Sequence, residues 1–294
     1  MLAILFGLAA AFFFAAHYVV VKFGMRTSNP MSATLISSVV NALFLWLVSV
    51  LFLPFDFFLN KGMIYLAIAG LLAPCLARVF MYTGIEKVGV SITSPIKETA
   101  QFFAAFVAIV FLGEKMTVFI ALATVMTVFG VIFLSRSSEA SKTPGQFRWE
   151  KKDLIYPFGA AILYGVSRVF RRLGMITVTS YWGGATIMAT VSLLFFLVLF
   201  AGMQNKQKPE INKNCLVFFA LGGVFGGLGQ VATLAAFHLG DVVLVGPVVS
   251  ATPLFSLLLN FIFLKKLERV TLNIFLGVVL IVSAVALLTV MQRF

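Results

Sequence analysis

Charged residues are scarce in this sequence of 294 residues, where Asp, Glu, Lys and Arg together make up 11%. Ordinary globular domains contain about 25% charged residues and roughly 45–50% apolar ones, whereas 61% of this chain is hydrophobic. A soluble domain of such a composition would expose large apolar patches and aggregate. The shortage of charge therefore excludes a soluble globular protein and indicates that the bilayer is the solvent.

Acidic residues, cysteine and histidine are also rare. The chain has 10 Asp and Glu against 22 Lys and Arg, two Cys and two His. Cys75 and Cys215 have no metal-ligand spacing and cannot form a disulfide framework, so they are predicted to be packing residues. No metal or other cofactor is predicted. The basic residues lie mostly in short loops between apolar runs, which favours membrane orientation over binding of nucleic acid.

Long apolar runs are what the sequence has in abundance. About 20 mainly apolar residues cross the hydrocarbon core, and helices are the structure in which such runs satisfy their backbone hydrogen bonds there. We therefore predict an all-α membrane protein, with the first run retained as a spanning helix rather than cleaved as a signal peptide. The ten predicted transmembrane helices lie near residues 2–22, 31–53, 62–83, 91–112, 117–135, 154–173, 180–202, 215–237, 243–264 and 270–291.

A polar segment in the middle of the chain, residues 136–153, indicates a duplication. It is predicted to link a first repeat, 1–135 with helices 1 to 5, to a second repeat, 154–294 with helices 6 to 10. Landmarks recur in order in the two halves: Asn60-Lys61 matches Asn212-Lys213, and Pro95 matches Pro247. Because each half has an odd number of helices, the second half enters the membrane from the opposite side, which makes an inverted repeat with a central binding site.

Each half carries a motif that resembles the drug/metabolite transporter superfamily, and specifically its EamA-type members. The first copy runs from Gly89-Val90-Ser91 through Pro95 to Leu112-Gly113-Glu114-Lys115-Met116-Thr117. The second runs from Asp241 through Pro247 to Leu267-Glu268-Arg269-Val270-Thr271, with Leu267 where the pattern has Gly. The resemblance implies a ten-helix transporter of amino acids, drugs, sugars or other metabolites, and it implies no particular substrate. Glu114 and Glu268 are interpreted as stabilising a helix N-terminus and the interface rather than as substrate ligands.

Charges inside the bilayer are costly and usually line a pathway. Arg78, Lys97 and Glu98 are predicted to reach one depth in the hairpin of helices 3 and 4, with Gln101 one turn beyond Lys97. Arg78 would grip a carboxylate or phosphate, Lys97 would add a second positive charge, and Glu98 would receive an ammonium or couple protons. In the alternative, Glu98 pairs with Arg78 or Lys97 and locks the helices, or Lys97 snorkels to the surface. A triad with net positive charge favours anionic or zwitterionic solutes.

The other candidate substrate-binding residues come from helix 1 and from the second half, where Gln230 aligns with Arg78. Arg171 and Arg172 are interpreted as interface anchors, and the glycines at 222, 223, 226 and 227 as close-packing positions. These remaining candidate ligands are His17, Tyr18, Tyr164, Arg168 and Gln230.

The predicted function is that of an integral membrane secondary transporter, which moves an amino acid or another zwitterionic or anionic solute by alternating access. Export, proton coupling and a monomeric or homodimeric state are left open. The alternative is a membrane-embedded enzyme or flippase acting on a lipid-linked substrate, but the sequence has no zinc motif, intramembrane carboxylate pair or obvious Ser–His dyad. The expected location is the cell membrane, as a multi-pass protein, or the inner membrane in a Gram-negative source.

Two arguments about orientation disagree. Most basic residues outside the bilayer lie on the side of the linker, and the positive-inside rule would place that side in the cytoplasm and both termini outside. Resemblance to the superfamily implies the reverse. Both orientations stay open at this point.

Overall fold

The protein is all-helical in the described part of the chain. The computed structural model describes residues 1–28, 30–53, 60–88, 93, 96–97, 99–137, 150–178, 180–202, 212–264 and 272–291. The twelve α-helices within these residues are α1 Leu2–Gly24, α2 Pro30–Phe52, α3 Met63–Gly70, α4 Ala77–Val88, α5 Ala100–Leu112, α6 Val118–Ser137, α7 Ile155–Thr177, α8 Tyr181–Gly202, α9 Lys213–Leu239, α10 Val242–Val249, α11 Thr252–Leu264 and α12 Leu272–Met291.

Seven helical stretches of the described residues are long and apolar enough to cross a membrane. Two shorter apolar helices span Ala100–Leu112 and Val118–Phe133, and α7 adds 23 residues that include three arginines. Large apolar side chains such as Leu47 and Phe52 are exposed on the outer surface, where lipid is their natural solvent. The chain is thus a multi-pass membrane protein, and the count of ten crossings stays a prediction.

The third apolar run is not the continuous helix that was predicted for 62–83. It is divided into α3 and α4 by a π-helical turn, Leu71–Leu76, in which Ala73 has extended backbone angles (φ −148°, ψ 127°). Pro74 follows at once and has no N–H to donate to the preceding turn. The physical reason for the break is thus local, and the second segment continues to Val88, beyond the predicted end.

The ninth run, predicted as one helix over 243–264, is also divided. α10 ends at Val249, and α11 begins at Thr252. Pro253 cannot donate to the carbonyl of Val249, and the hydroxyl of Thr252 donates to that carbonyl at 2.8 Å instead. Pro247, by contrast, lies inside α10 without interrupting it, while Pro95 lies outside the described residues.

Helix α9 lies at the centre of the bundle and is continuous over 27 residues. It runs antiparallel to α1: Gly229 of α9 lies beside Phe14, and Gly222 lies beside Val21. It runs parallel to α2, with Gly223 against the backbone of Ser37. The absent side chains at these glycines let three backbones approach closely, as small residues do in membrane bundles. This arrangement fixes α1 and α2 beside a central space.

Candidate functional site

A cavity of about 500 Å³ occupies the middle of the bundle. That volume is typical of pockets for small molecules. It is bounded by α1, α2, α4, α7, α9, the junction of α10 with α11, the π-helical turn that contains Pro74, and Lys97 before α5. Its polar and charged lining residues are His17, Tyr18, Lys22, Ser37, Ser38, Asn41, Arg78, Lys97, Tyr164, Arg168, Arg171, Gln230, Thr233, Ser250, Thr252 and Ser256.

The cavity lining lies at different depths of the membrane on different helices. We call the end of the bundle where α6 ends and α7 begins the linker face, and the opposite end, where α1 begins, the terminal face. The lining residues of α1 run from Phe14 to Lys22, the half of that helix nearest the linker face. Those of α2, from Ser37 to Asn41, lie in the corresponding half of α2. On α1 and α2 the lining therefore lies between the middle of the bundle and the linker face, while Phe237, near the end of α9, lines the cavity on the side of the terminal face.

Polar contacts join the helix ends at the terminal face. The two carboxylate oxygens of Glu114 accept the backbone N–H groups of Val242 and Val243, each at 3.0 Å. Arg172 donates to the carbonyls of Phe237 and His238 and pairs with Asp241 at 3.2 Å. Glu114 thus links the loop after α5, in the first half, to the start of α10 in the second.

The environment of Glu114 opposes its ionisation. Burial raises the pKa of the Glu114 carboxyl, while the two N–H groups that it accepts act in the opposite direction. These groups belong to the first turn of α10, where a helix favours negative charge. Glu114 therefore binds the N-terminus of a helix in the other half, α10. Its counterpart Glu268 lies outside the described residues. Arg172 lies outside the cavity and anchors the end of α9.

Positive charge dominates the cavity. Five basic residues line it, and none of its lining residues in the described part of the chain is Asp or Glu. Glu98, the predicted counter-charge, lies outside the described residues. The basic residues come from α1, α4, the segment before α5, and α7. They are Lys22, Arg78, Lys97, Arg168 and Arg171.

Most of the predicted candidates meet at this cavity. The Nζ atom of Lys97 lies 5.6 Å from the ring centre of Tyr164, within the range of a cation–π contact. Tyr18 is 48% exposed, so it also borders the outer surface. The predicted residues that line the cavity are His17, Tyr18, Arg78, Lys97, Tyr164, Arg168 and Gln230.

Gln101 differs from the expected position. Its side chain is 2% exposed and does not line the cavity, although Lys97 does. Gln101 donates through Nε2 to the carbonyl of Gly246 at 2.6 Å and to the hydroxyl of Ser250. Its Oε1 accepts a hydrogen bond from Arg168. Packing against α10 thus buries this side chain behind the cavity wall, which spacing along one helix face did not reveal.

His17 is held in one tautomer by α9. Its Nδ1 lies 2.7 Å from the carbonyl oxygen of Gly222. Because a carbonyl only accepts, Nδ1 carries the proton, and a neutral ring has Nε2 as an acceptor. Gly226 lets the ring approach, since a Cβ there would lie 3.3 Å from Nδ1.

Arg171, interpreted from the sequence as an interface anchor, lines the cavity and contacts the broken helix. Its Nη2 donates to the carbonyl of Ala73 at 3.1 Å. The hydroxyl of Ser167 lies 2.9 Å from the carbonyl of Ala69 and 3.3 Å from that of Ala73. Two side chains of α7 thus donate to carbonyls at the interruption near Pro74. The backbone N–H of Ala77 bonds there to the carbonyls of Leu72 and Cys75 rather than to that of Ala73.

Several polar lining residues were not among the predicted candidates. Asn41 and the serines of α2 come from a helix whose sequence carries no charge. Lys22, in the last turn of α1, also lines the cavity. The repeat comparison could have singled out Ser250, because it aligns with Glu98.

Comparison with known proteins gives the family. The sequence model of the family described as "EamA-like transporter family" matches residues 1–136 and 152–290, which together are nearly the whole chain. The chain belongs to the EamA-like transporter family. As an EamA-like protein it has the two-repeat architecture of a membrane transporter, and no observation supports the enzyme or flippase alternative.

One solved structure supports the same fold for this EamA-like chain. It is a crystal structure described only as that of a protein, with a TM-score of 0.79 and 15% sequence identity. The match covers 99% of this chain and 97% of the other. No curated protein matches the chain.

Proposed function

We propose that this protein is a secondary carrier of the cell membrane that moves a small organic anion by alternating access. The observation that carries the proposal is the charge of the central cavity, where five basic side chains meet no acidic one among the described lining residues. In a low-dielectric bundle such charges bind and orient a carboxylate or phosphate strongly. They equally disfavour a cation.

The same observation favours an anion over a zwitterion. An amino acid would bring an ammonium group into a cavity with excess positive charge. The aromatic ring of Tyr164, which could receive an ammonium, already lies beside Lys97. The sequence offers Glu98 for receiving an ammonium or coupling a proton, and we keep both roles for it as proposals to be tested.

Two features support alternating access. The cavity lining on α1 and α2 lies towards the linker face, while Glu114 and Arg172 join helix ends at the terminal face. Helices are interrupted beside the cavity at Ala73 and between Val249 and Thr252. Interrupted helices at a midplane site between repeats are typical of secondary transporters.

The test is solute counterflow in liposomes that contain the purified protein. The arms are a dicarboxylate, a phosphate monoester, a zwitterionic amino acid and an organic cation, each with and without a pH gradient. We expect exchange of one of the two anions, no exchange of the cation, and weaker or no exchange of the amino acid. Preferred exchange of the amino acid or the cation would contradict the proposal.

Matched variants test the cavity. Lys97→Gln removes a charge that lines it, whereas Lys87→Gln removes a charge at the end of α4 that pairs with Asp153 outside it. We expect the first to weaken anion exchange and the second to leave it unchanged. Glu98→Gln, measured with a pH gradient, then shows whether that carboxylate couples protons: abolished gradient dependence supports coupling, and retained dependence rejects it.

A further inference from the structure

Arg168 is a basic residue of the cavity whose guanidinium contacts side chains from two other elements. It lies in the middle of α7, and its side chain lines the cavity. Its Nη1 donates to Oε1 of Gln101, and its Nη2 lies 3.3 Å from the hydroxyl oxygen of Ser250. The guanidinium is planar and rigid, so two contacts on different nitrogens fix the direction of its fork.

Gln101, which holds Arg168, is itself fixed by hydrogen bonds to the second half. Gln101 is almost fully buried and donates to the carbonyl of Gly246 at 2.6 Å and to Ser250. Gly246 has no side chain, and a Cβ there would lie 2.5 Å from Oε1 of Gln101. The close approach of the amide to α10 therefore depends on glycine at this position. Buried amides with satisfied groups are held in one geometry.

This network joins the two halves of the molecule. Gln101 belongs to α5 of the first half, while Arg168 and Ser250 belong to α7 and to the junction of α10 with α11 in the second. A solute bound at Arg168 would thus contact a group that both halves hold.

We propose that Arg168 receives the anionic group of the solute and that Gln101 is the positioning residue that aims its guanidinium fork into the cavity. This inference rests on the proposed function and deepens it by naming the subsite. A guanidinium has five N–H donors, so Arg168 can hold Gln101 and Ser250 and still donate to a carboxylate or a phosphate. The two sources of such a group are distinguished by the dicarboxylate and the phosphate monoester as separate probes.

The test combines Gln101→Met and Gln101→Glu, both close to Gln in length. Met removes the hydrogen bonds and leaves Arg168 charged but unframed, so we expect KM for the anion to rise about tenfold, the value of one lost charge-assisted bond. Glu keeps an acceptor for Arg168 but adds a carboxylate that neutralises it. We expect this variant to raise KM more than Met does, with Vmax changed less than KM in both.

The conservative variant Arg168→Lys measures the coupling between Gln101 and Arg168 in binding of the anion. Lys keeps the charge but has no planar fork, so Gln101 loses its partner for positioning. We expect Gln101→Met to change KM for the anion much less in the Arg168→Lys background than in the wild type, which a double-mutant cycle measures. Each variant is first checked for correct folding by its elution profile and thermal unfolding in detergent.

A purely structural role for Gln101 predicts a different result. In that case Gln101→Met and Gln101→Glu would lower the unfolding temperature and Vmax together and leave KM unchanged. The double-mutant cycle with Arg168→Lys would show no coupling. Those outcomes would overturn the inference while anion transport by the wild type continued. Failure of the proposed function would look different, because the wild type itself would exchange no anion.

Discussion

The third membrane segment of the first half and that of the second differ in continuity. In the first half it comprises α3, the π-helical turn Leu71–Leu76 and α4, with Pro74 in the break. In the second half it is α9, uninterrupted from Lys213 to Leu239, without proline and capped by the side chain of Asn212. Helix α9 has glycines where the first-half segment has proline. These glycines do not break the helix; they let the neighbouring backbones pack close to it.

The difference teaches that the two repeats divide the work at the cavity. The broken segment presents Arg78 just after the break and exposes carbonyls that α7 must satisfy. The continuous segment presents the neutral Gln230 and gives α1 and α2 a thin surface to pack against. In this third segment the first half therefore supplies charge and irregular backbone and the second supplies a regular support, while α7 of the second half adds Arg168 and Arg171 to the cavity.

The largest expected effect on transport comes from replacing, one at a time, the polar side chain that each of these two segments presents to the cavity. Arg78→Gln removes a charge from the cavity, so we expect its KM for the transported anion to rise about 10- to 100-fold, the range for a lost hydrogen bond to a charged group. Gln230→Leu removes only a neutral amide, and we expect a change of a few-fold. Counterflow in liposomes measures both. Equal effects would contradict the division of roles.

The second prediction concerns packing of α9. A Cβ on Gly223 would lie 2.7 Å from the backbone oxygen of Ser37, which cannot move aside independently. We expect Gly223→Ala to lower the free energy of unfolding by about 1–3 kcal/mol through overpacking. The control is Gly226→Ala, whose nearest neighbour is the ring of His17 at 3.3 Å. If both variants unfold at the same temperature in detergent, α9 is not fixed by contact with α2.

The third prediction compares hydroxyls on broken and regular backbone. Ser167→Ala removes a donor from the carbonyls of Ala69 and Ala73, and we expect a loss of about 1 kcal/mol in the free energy of unfolding. The hydroxyl of Thr233 donates at 2.7 Å to the carbonyl of Gly229 inside the continuous helix α9. Because that carbonyl also has a helical donor, Thr233→Val should cost less. The opposite order in thermal unfolding would refute this view of the break.

The smallest effect is expected at Glu114, which joins the halves at the terminal face. Burial raises its pKa in the folded state, so folding favours the protonated carboxyl. Its contribution to stability is therefore full below the ordinary pKa and is lost as pH rises through the raised value. We expect wild type to lose stability relative to Glu114→Gln as pH rises above about 4.5. A constant difference across pH would contradict the direction of the shift.

The sequence alone predicted much of the fold because hydropathy acts over long segments. Apolar runs located the helices, and the polar segment at 136–153 with the recurring landmarks indicated the duplication. Charges within apolar runs then singled out Arg78, Lys97 and Arg168, because a charge in the bilayer needs a polar environment. All three line the cavity.

The same reasoning failed where two segments had to be positioned relative to each other. Gln101 shares a helical spacing with Lys97, but contact with Gly246 turns it into a buried support for Arg168. Arg171 looked like an anchor at an interface, and the carbonyl of Ala73 brought it to the cavity. Neither partner is near in sequence, so no local pattern could reveal it.

What the sequence by itself determined is a multi-pass membrane protein with two repeats, whose motifs resemble those of EamA-type transporters. Long apolar runs decide the membrane class, because backbone polar groups in hydrocarbon must be satisfied within helices. The recurring landmarks decide the duplication. Only the tertiary structure decided which charged side chains line one cavity, how that cavity lies between the two faces, and which neighbouring groups position those side chains. Those properties depend on contacts such as that between Gln101 and Arg168, and a contact between distant segments exists only once the helices have packed.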